Sequence, residues 1–78
     1  MENREKYIQA FVDVFGITEE DAVTAKYQEE KNWDSIGHMS LISTLEDSFD
    51  IMMDTADIID FSSFEKGMEI LKKYDVEF

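Results

Sequence analysis

The chain has 78 residues, a formal charge of −12, no cysteine and no proline. That length supports one small domain, read as residues 1–78, with a modest core. The missing cysteine excludes disulfides and thiolate metal sites, and the negative charge argues against nucleic acid while favouring basic partners.

Few glycines and many helix formers predict an all-α fold. The first helix is expected from near Asn3 to Phe15. Ile8, Phe11, Val12 and Phe15 share one face of it, and it would be about 20 Å long. Gly16 suits the stop, because it takes a left-handed conformation without a Cβ clash. The charged start, Met1 to Lys6, has no apolar run, so no signal peptide is expected. No stretch of the chain is long or apolar enough to span a membrane. A cytoplasmic protein without a membrane span is the expectation.

Thr18 reads as the cap of a helical turn through Ala25, with Glu19, Glu20 and Asp21 in its first turn. Tyr27 to Asn32 is polar and reads as loop. This connection is longer than most inside bundles. It is either packed on the core by Ile17, Val23, Tyr27 and Trp33, or mobile.

The second long helix is predicted from Ser35 to about Phe49, with Asp34 as its N-cap. Ser35 lies in the first turn, among N–H groups without helical partners, where an anion is favoured. A serine there is either a capping residue or the carrier of a phosphate. At about 100° per residue, Leu41, Ile42, Leu45 and Phe49 face the core. Ile36, Met39, Ser40, Ser43, Glu46, Asp47 and Asp50 face away. Ile36 and Met39 beside Ser35 are either scattered surface residues or a docking patch. His38 points to the core side and reads as half-buried packing.

Ile51 to Asp54 connects to a short helix, Thr55 to Asp60, that offers Ile58, Ile59 and Phe61 to the core. Ser62 to Glu65 has the capping-box pattern, with Ser62 as cap. The last helix then runs to about Tyr74 on a stripe of Phe64, Gly67, Met68 and Leu71. Gly67 permits a close helix approach or leaves room for a ligand. The expected whole is a small bundle of three long helices and one short one. Phe11, Phe15, Phe49, Phe61, Phe64 and Met68 dominate its interior.

Catalytic chemistry is poorly supplied. A Ser35–His38 pair on one helix has neither an oxyanion hole nor an orienting third group, so the chain is not read as an enzyme. Asp47 to Asp50 lacks the glycine and glutamate of a calcium loop, and no metal site is expected. Between Asp34 and Glu65 there are eight acidic residues and no Lys or Arg.

Asp34-Ser35-Ile36, the pattern Leu41, Leu45, Glu46, Phe49-Asp50, and the later Ile58, Phe61, Phe64 and Leu71 together resemble the acyl carrier protein family. The resemblance is best from Trp33 to Tyr74. It implies an acyl-carrier-like bundle in which Ser35 carries 4′-phosphopantetheine, placed there from coenzyme A by a phosphopantetheinyl transferase. The arm's thiol would hold an acyl or aminoacyl group as a thioester, which fits a chain without cysteine. Loading and transferring enzymes of the family read the second helix with basic patches. That points to Asp34, Glu46, Asp47 and Asp57 as charged contacts and Ile36 and Met39 as apolar ones, on a monomer. Gly37 and Ser40 stand where carriers of general fatty acid synthesis usually show acids, and Ser43 replaces a larger apolar residue. The resemblance therefore leans toward a specialised stand-alone carrier of a dedicated biosynthetic pathway. The rival from another class is a non-enzymatic helical interaction module with an unmodified Ser35.

Overall fold

Five helices carry the chain in the computed structural model, which describes residues 3–30 and 32–78. They are α1 (Asn3–Phe15), α2 (Glu19–Ala22), α3 (Ser35–Phe49), α4 (Thr55–Asp60) and α5 (Phe64–Lys72). Among the described residues there is no strand, and no helix is long and apolar enough to cross a membrane. Met1, Glu2 and Lys31, the last within the expected polar loop, lie outside the described residues. The all-α expectation holds, with one short helix more than predicted and a third long helix of only nine residues.

Local chemistry explains most of the boundaries. Gly16 ends α1 at φ +65°, and its N–H reaches the Val12 carbonyl at 2.9 Å. Thr18 caps α2, its hydroxyl accepting from the Asp21 N–H at 3.1 Å. Asp34 caps α3 through the Gly37 N–H at 2.9 Å. At α5 the cap is Ser63, not Ser62, and its hydroxyl accepts from the Lys66 N–H at 3.0 Å. Ser62 is occupied elsewhere: its carbonyl takes the Tyr27 N–H at 2.9 Å, beside an isolated bridge between Lys26 and Ser63. The Phe64 N–H in turn donates to the Ala25 carbonyl at 3.0 Å. These bonds stitch the long first connection onto the α4–α5 junction. With Ala25 and Trp33 buried, that connection is packed on the core.

The core is aromatic. Tyr7, Phe11, Phe15, Trp33, Phe61 and Phe64 are buried around Leu41, Ile42, Leu45 and Leu71. On α1 the buried set is Tyr7, Ala10, Phe11 and Phe15, and Ile8 packs beside it half-exposed. Tyr7 enters because its hydroxyl donates to the Phe64 carbonyl at 2.6 Å, which satisfies the polar tip while the ring packs edge-on to Phe11. Burial pushes its phenol pKa well up. Phe49 and Met68 are only half-buried. Phe49 lies at the end of α3 with the Lys6 ammonium 5.2 Å above its ring, and Ile70 takes the buried place on α5. On α4 the prediction fails for Ile59, which is 75 % exposed. The helix is turned so that Asp57 is buried and Ile58 packs half-buried on the core, which carries Ile59, about 100° further round, to the outside.

Gly67 is a close-approach residue. A Cβ there would run into the side chains of Phe61 and Tyr7, both buried. Gly67→Ala should therefore destabilise the protein even though alanine favours helix by about 1 kcal/mol, because overpacking costs roughly 1–3 kcal/mol. The check is the urea midpoint, which should fall; a raised midpoint would mean that the core yields freely at this point.

Candidate functional site

Ser35 is the first residue of α3 and is exposed. The helix starts there because Asp34 is extended, at φ −109° and ψ −166°, while its carbonyl already accepts from the His38 N–H at 2.7 Å. Its carboxylate occupies the Gly37 N–H. The positive end of α3 thus has a resident anion, and the free first turn expected from the sequence is partly used.

A pocket of about 370 Å³ opens beside Ser35. Ser35 lines it together with Tyr27, His38, Met39, Ile58, Ile59, Phe61 and Ser62, so its wall is mostly apolar. Three chain segments build it: the long first connection, the start of α3, and α4 with the residues after it. A second, shallower groove runs along the outer face of α3 past Ser35, Ile36, Met39, Ser40 and Ser43. Ile36 is 80 % and Met39 52 % exposed. With Ile59 they give Ser35 an apolar flank beside the Asp34 carboxylate.

His38 fixes the pocket's shape. The buried Trp33 indole N–H donates to His38 Nδ1 at 2.9 Å. An indole can only donate, so Nδ1 accepts and the ring proton sits on Nε2. From there it is given to the Ile58 carbonyl, 2.7 Å away. The imidazole and indole rings lie nearly parallel, 17° apart, as suits an in-plane hydrogen bond between them. The half-buried position matches the sequence reading, but the clamp does not follow from it: His38 joins the first connection to α4 across the top of α3. Both ring nitrogens are engaged by this task.

The acids expected to meet partners divide in the structure. Asp34 and Asp47 are exposed, although Asp34 also caps α3. Glu46 is half-buried, and its Oε2 accepts from the Met53 N–H at 3.0 Å, holding the α3–α4 connection. Asp57 corrects its expectation most clearly. It is 8 % exposed, with Lys73 Nζ 2.5 Å from Oδ1 and the Tyr74 hydroxyl donating to Oδ2 at 2.5 Å. The Tyr74 oxygen also accepts from the Asp54 N–H at 3.0 Å. Asp57 is thus a buried tie between α4 and the residues that end α5. The hydrogen bond from Lys73, then that from Tyr74, holds the Asp57 carboxyl below the usual carboxylate range, and the same bond holds the Lys73 ammonium above its ordinary pKa.

Gly37 also changes meaning. A Cβ at this position would run into the Asn32 backbone carbonyl and stand 3.1 Å from the Phe15 ring. The missing acid there has a steric cause inside this fold. Its absence says nothing about partners, and Gly37→Asp would disturb the helix start rather than restore a docking charge. Of the residues at the site, sequence reasoning gave Tyr27 a packing role alone, because the stretch around it is polar and nothing in the spacing ties it to Ser35.

The Asp57 tie gives a pH-dependent expectation. A carboxyl whose pKa is lowered on folding stabilises fully above the ordinary carboxylate value of about 3.9 and loses that contribution as pH falls through its lower folded value. Asp57→Asn should lower the melting temperature at neutral pH. The gap to wild type should narrow as the pH drops below about 4. Melts across that range check it; a gap that widens in acid would contradict the tie.

Comparison of the chain with protein-family models, with curated proteins and with solved structures found no match.

Proposed function

We propose that the protein is an acyl or aminoacyl carrier that bears 4′-phosphopantetheine on Ser35. The observation that carries the reading is an exposed serine at the first residue of α3 that itself lines a mostly apolar pocket. The residues present fit the group: the hydroxyl is open to a transferase, and the pocket beside it offers apolar wall to an arm or its cargo. In attachment, Ser35 Oγ forms a bond to the phosphorus that bears the pantetheine half of coenzyme A. The pyrophosphate bond to the nucleotide half breaks, adenosine 3′,5′-bisphosphate leaves, and the serine proton passes to the transferase's base. When bound, the arm supplies the thiol that this chain lacks, on which cargo is held as a thioester.

The chain's own residues position and present. Asp34 fixes the helix start that exposes Ser35. His38 holds Ile58 so that the pocket keeps its wall. Ile36, Met39 and Asp47 offer the accessible contacts to a phosphopantetheinyl transferase and to loading and transferring enzymes with basic docking patches. Glu46 and Asp57 spend their charges inside the molecule. The outer face of the first turns of α3 carries Ser40 and Ser43 and no acid, which supports a dedicated pathway over general fatty acid synthesis. A cytoplasmic monomer suits this role. The exposed Ile36, Met39 and Ile59 also favour a second reading, a non-enzymatic interaction module that uses the same patch with Ser35 unmodified.

Intact mass separates the two. After incubation with coenzyme A and a broad-specificity transferase, wild type should gain one arm and Ser35→Ala none. Modification persisting in Ser35→Ala, or never appearing in wild type, overturns the carrier. For docking, Asp47→Lys should slow arm transfer at low salt, with the effect fading as salt screens the charge over roughly 10 Å. Ile36→Ala should slow it at every salt concentration. Unchanged transfer rates in both variants would place docking on another face.

A further inference from the structure

An anion held on Ser35 has few groups to meet it. The sequence offers no Lys or Arg from Asp34 to Glu65, and among the described residues none lines the pocket. The helix start is partly used: Gly37 N–H binds the Asp34 carboxylate and His38 N–H the Asp34 carbonyl. A phosphate there faces a neighbouring carboxylate as well as the rest of the first turn.

Tyr27 is the exception. Its hydroxyl lies 3.3 Å from Ser35 Oγ, and either oxygen can donate. That separation is longer than the ~2.7–2.8 Å usual for a hydroxyl pair, so the contact is weak and readily exchanged. A phosphate oxygen, two bonds beyond Oγ, is a better acceptor, since hydrogen bonds to an ionised partner are shorter and stronger.

Tyr27 is also held in place, although it belongs to a polar connection. Its N–H is fixed on the Ser62 carbonyl at 2.9 Å, and its ring meets the Trp33 and His38 rings edge-on at 6.3 and 5.3 Å. A donor held this way loses little freedom on binding. Its position is one-sided too. Tyr27 lines the pocket with His38, Ile58 and Phe61, whereas the groove on the outer face of α3 shares Ser35 but not Tyr27.

We propose that the Tyr27 hydroxyl donates to the phosphate esterified on Ser35 and thereby directs the arm into the pocket between α3 and α4 instead of along the outer face of α3. This rests on the carrier reading of Ser35. Tyr27 is a positioning residue, and phenylalanine keeps its ring packing while removing the donor.

The test uses loaded wild type and loaded Tyr27→Phe, each shown by intact mass to carry one arm, with phosphorus and proton NMR as readouts. In wild type, arm protons should show contacts to the Tyr27 ring and to Ile58 and Ile59 methyls. In Tyr27→Phe the phosphorus resonance should move, and the arm contacts to Ile58 and Ile59 should be lost in favour of Ile36. The Trp33 indole resonance should stay in place, reporting an intact clamp. Absence of arm contacts to Tyr27 in wild type overturns the proposal whatever the variant does. So does an unmoved phosphorus resonance with unchanged contacts in Tyr27→Phe, and in that case the carrier reading stands. If Ser35 takes no arm, both fall together.

Discussion

The hydrogen-bonded line from the Trp33 indole through His38 to the Ile58 carbonyl sets the geometry around Ser35. It is three residue types used for their hydrogen-bonding asymmetry. An indole that can only give, an imidazole that takes on one side and gives on the other, and a carbonyl at the end of a short helix that must receive. The Ile58 carbonyl also receives the Phe61 N–H at 3.4 Å, so what the imidazole adds is a fixed distance between α3 and the apolar wall of α4. The buried indole, stacked on Phe15 and hydrogen-bonded to His38, makes the anchor rigid.

Polar ties of this kind recur where α4 meets its neighbours. Asp57 with Lys73 and Tyr74 fixes one side, His38 the other, and Glu46 holds the entering chain through Met53. A six-residue helix cannot bury much apolar surface, and this one leaves Ile59 outside. Side-chain hydrogen bonds replace the missing contact. The cost of this solution falls on the surface charge: acids that look like a docking stripe in the sequence are consumed as structural acceptors.

The sequence shows those parts of the molecule that depend on local rules. Helix α1, its glycine stop, and the Thr18 and Asp34 caps follow from residue types at fixed offsets, and so does the core face of Leu41, Ile42 and Leu45. Choices made by tertiary contact were hidden. Ser63 replaces Ser62 as cap because the Ser62 carbonyl is held by Tyr27 from 35 residues earlier. Tyr7 is core because a carbonyl across the bundle receives its hydroxyl. Asp57 is buried because two partners arrive from α5. Gly37 looked like a missing acid, although the Asn32 carbonyl leaves no space for any side chain there. At the candidate site, Ser35 and the exposed Ile36 and Met39 could be read from pattern. Tyr27 and the clamp could not, since periodicity carries no information about which side chains meet across a loop.

Trp33 has a practical bearing as well. It is the single tryptophan of the chain, and it is hydrogen-bonded to the ring that braces the pocket. Ultraviolet emission excited at the indole therefore comes from one place, directly behind the wall that Phe61 gives the pocket. The protein carries its own optical gauge of that space, with no dye or label to perturb it. Any occupant that presses on His38 alters the indole hydrogen bond, and so changes the intensity and colour of that light.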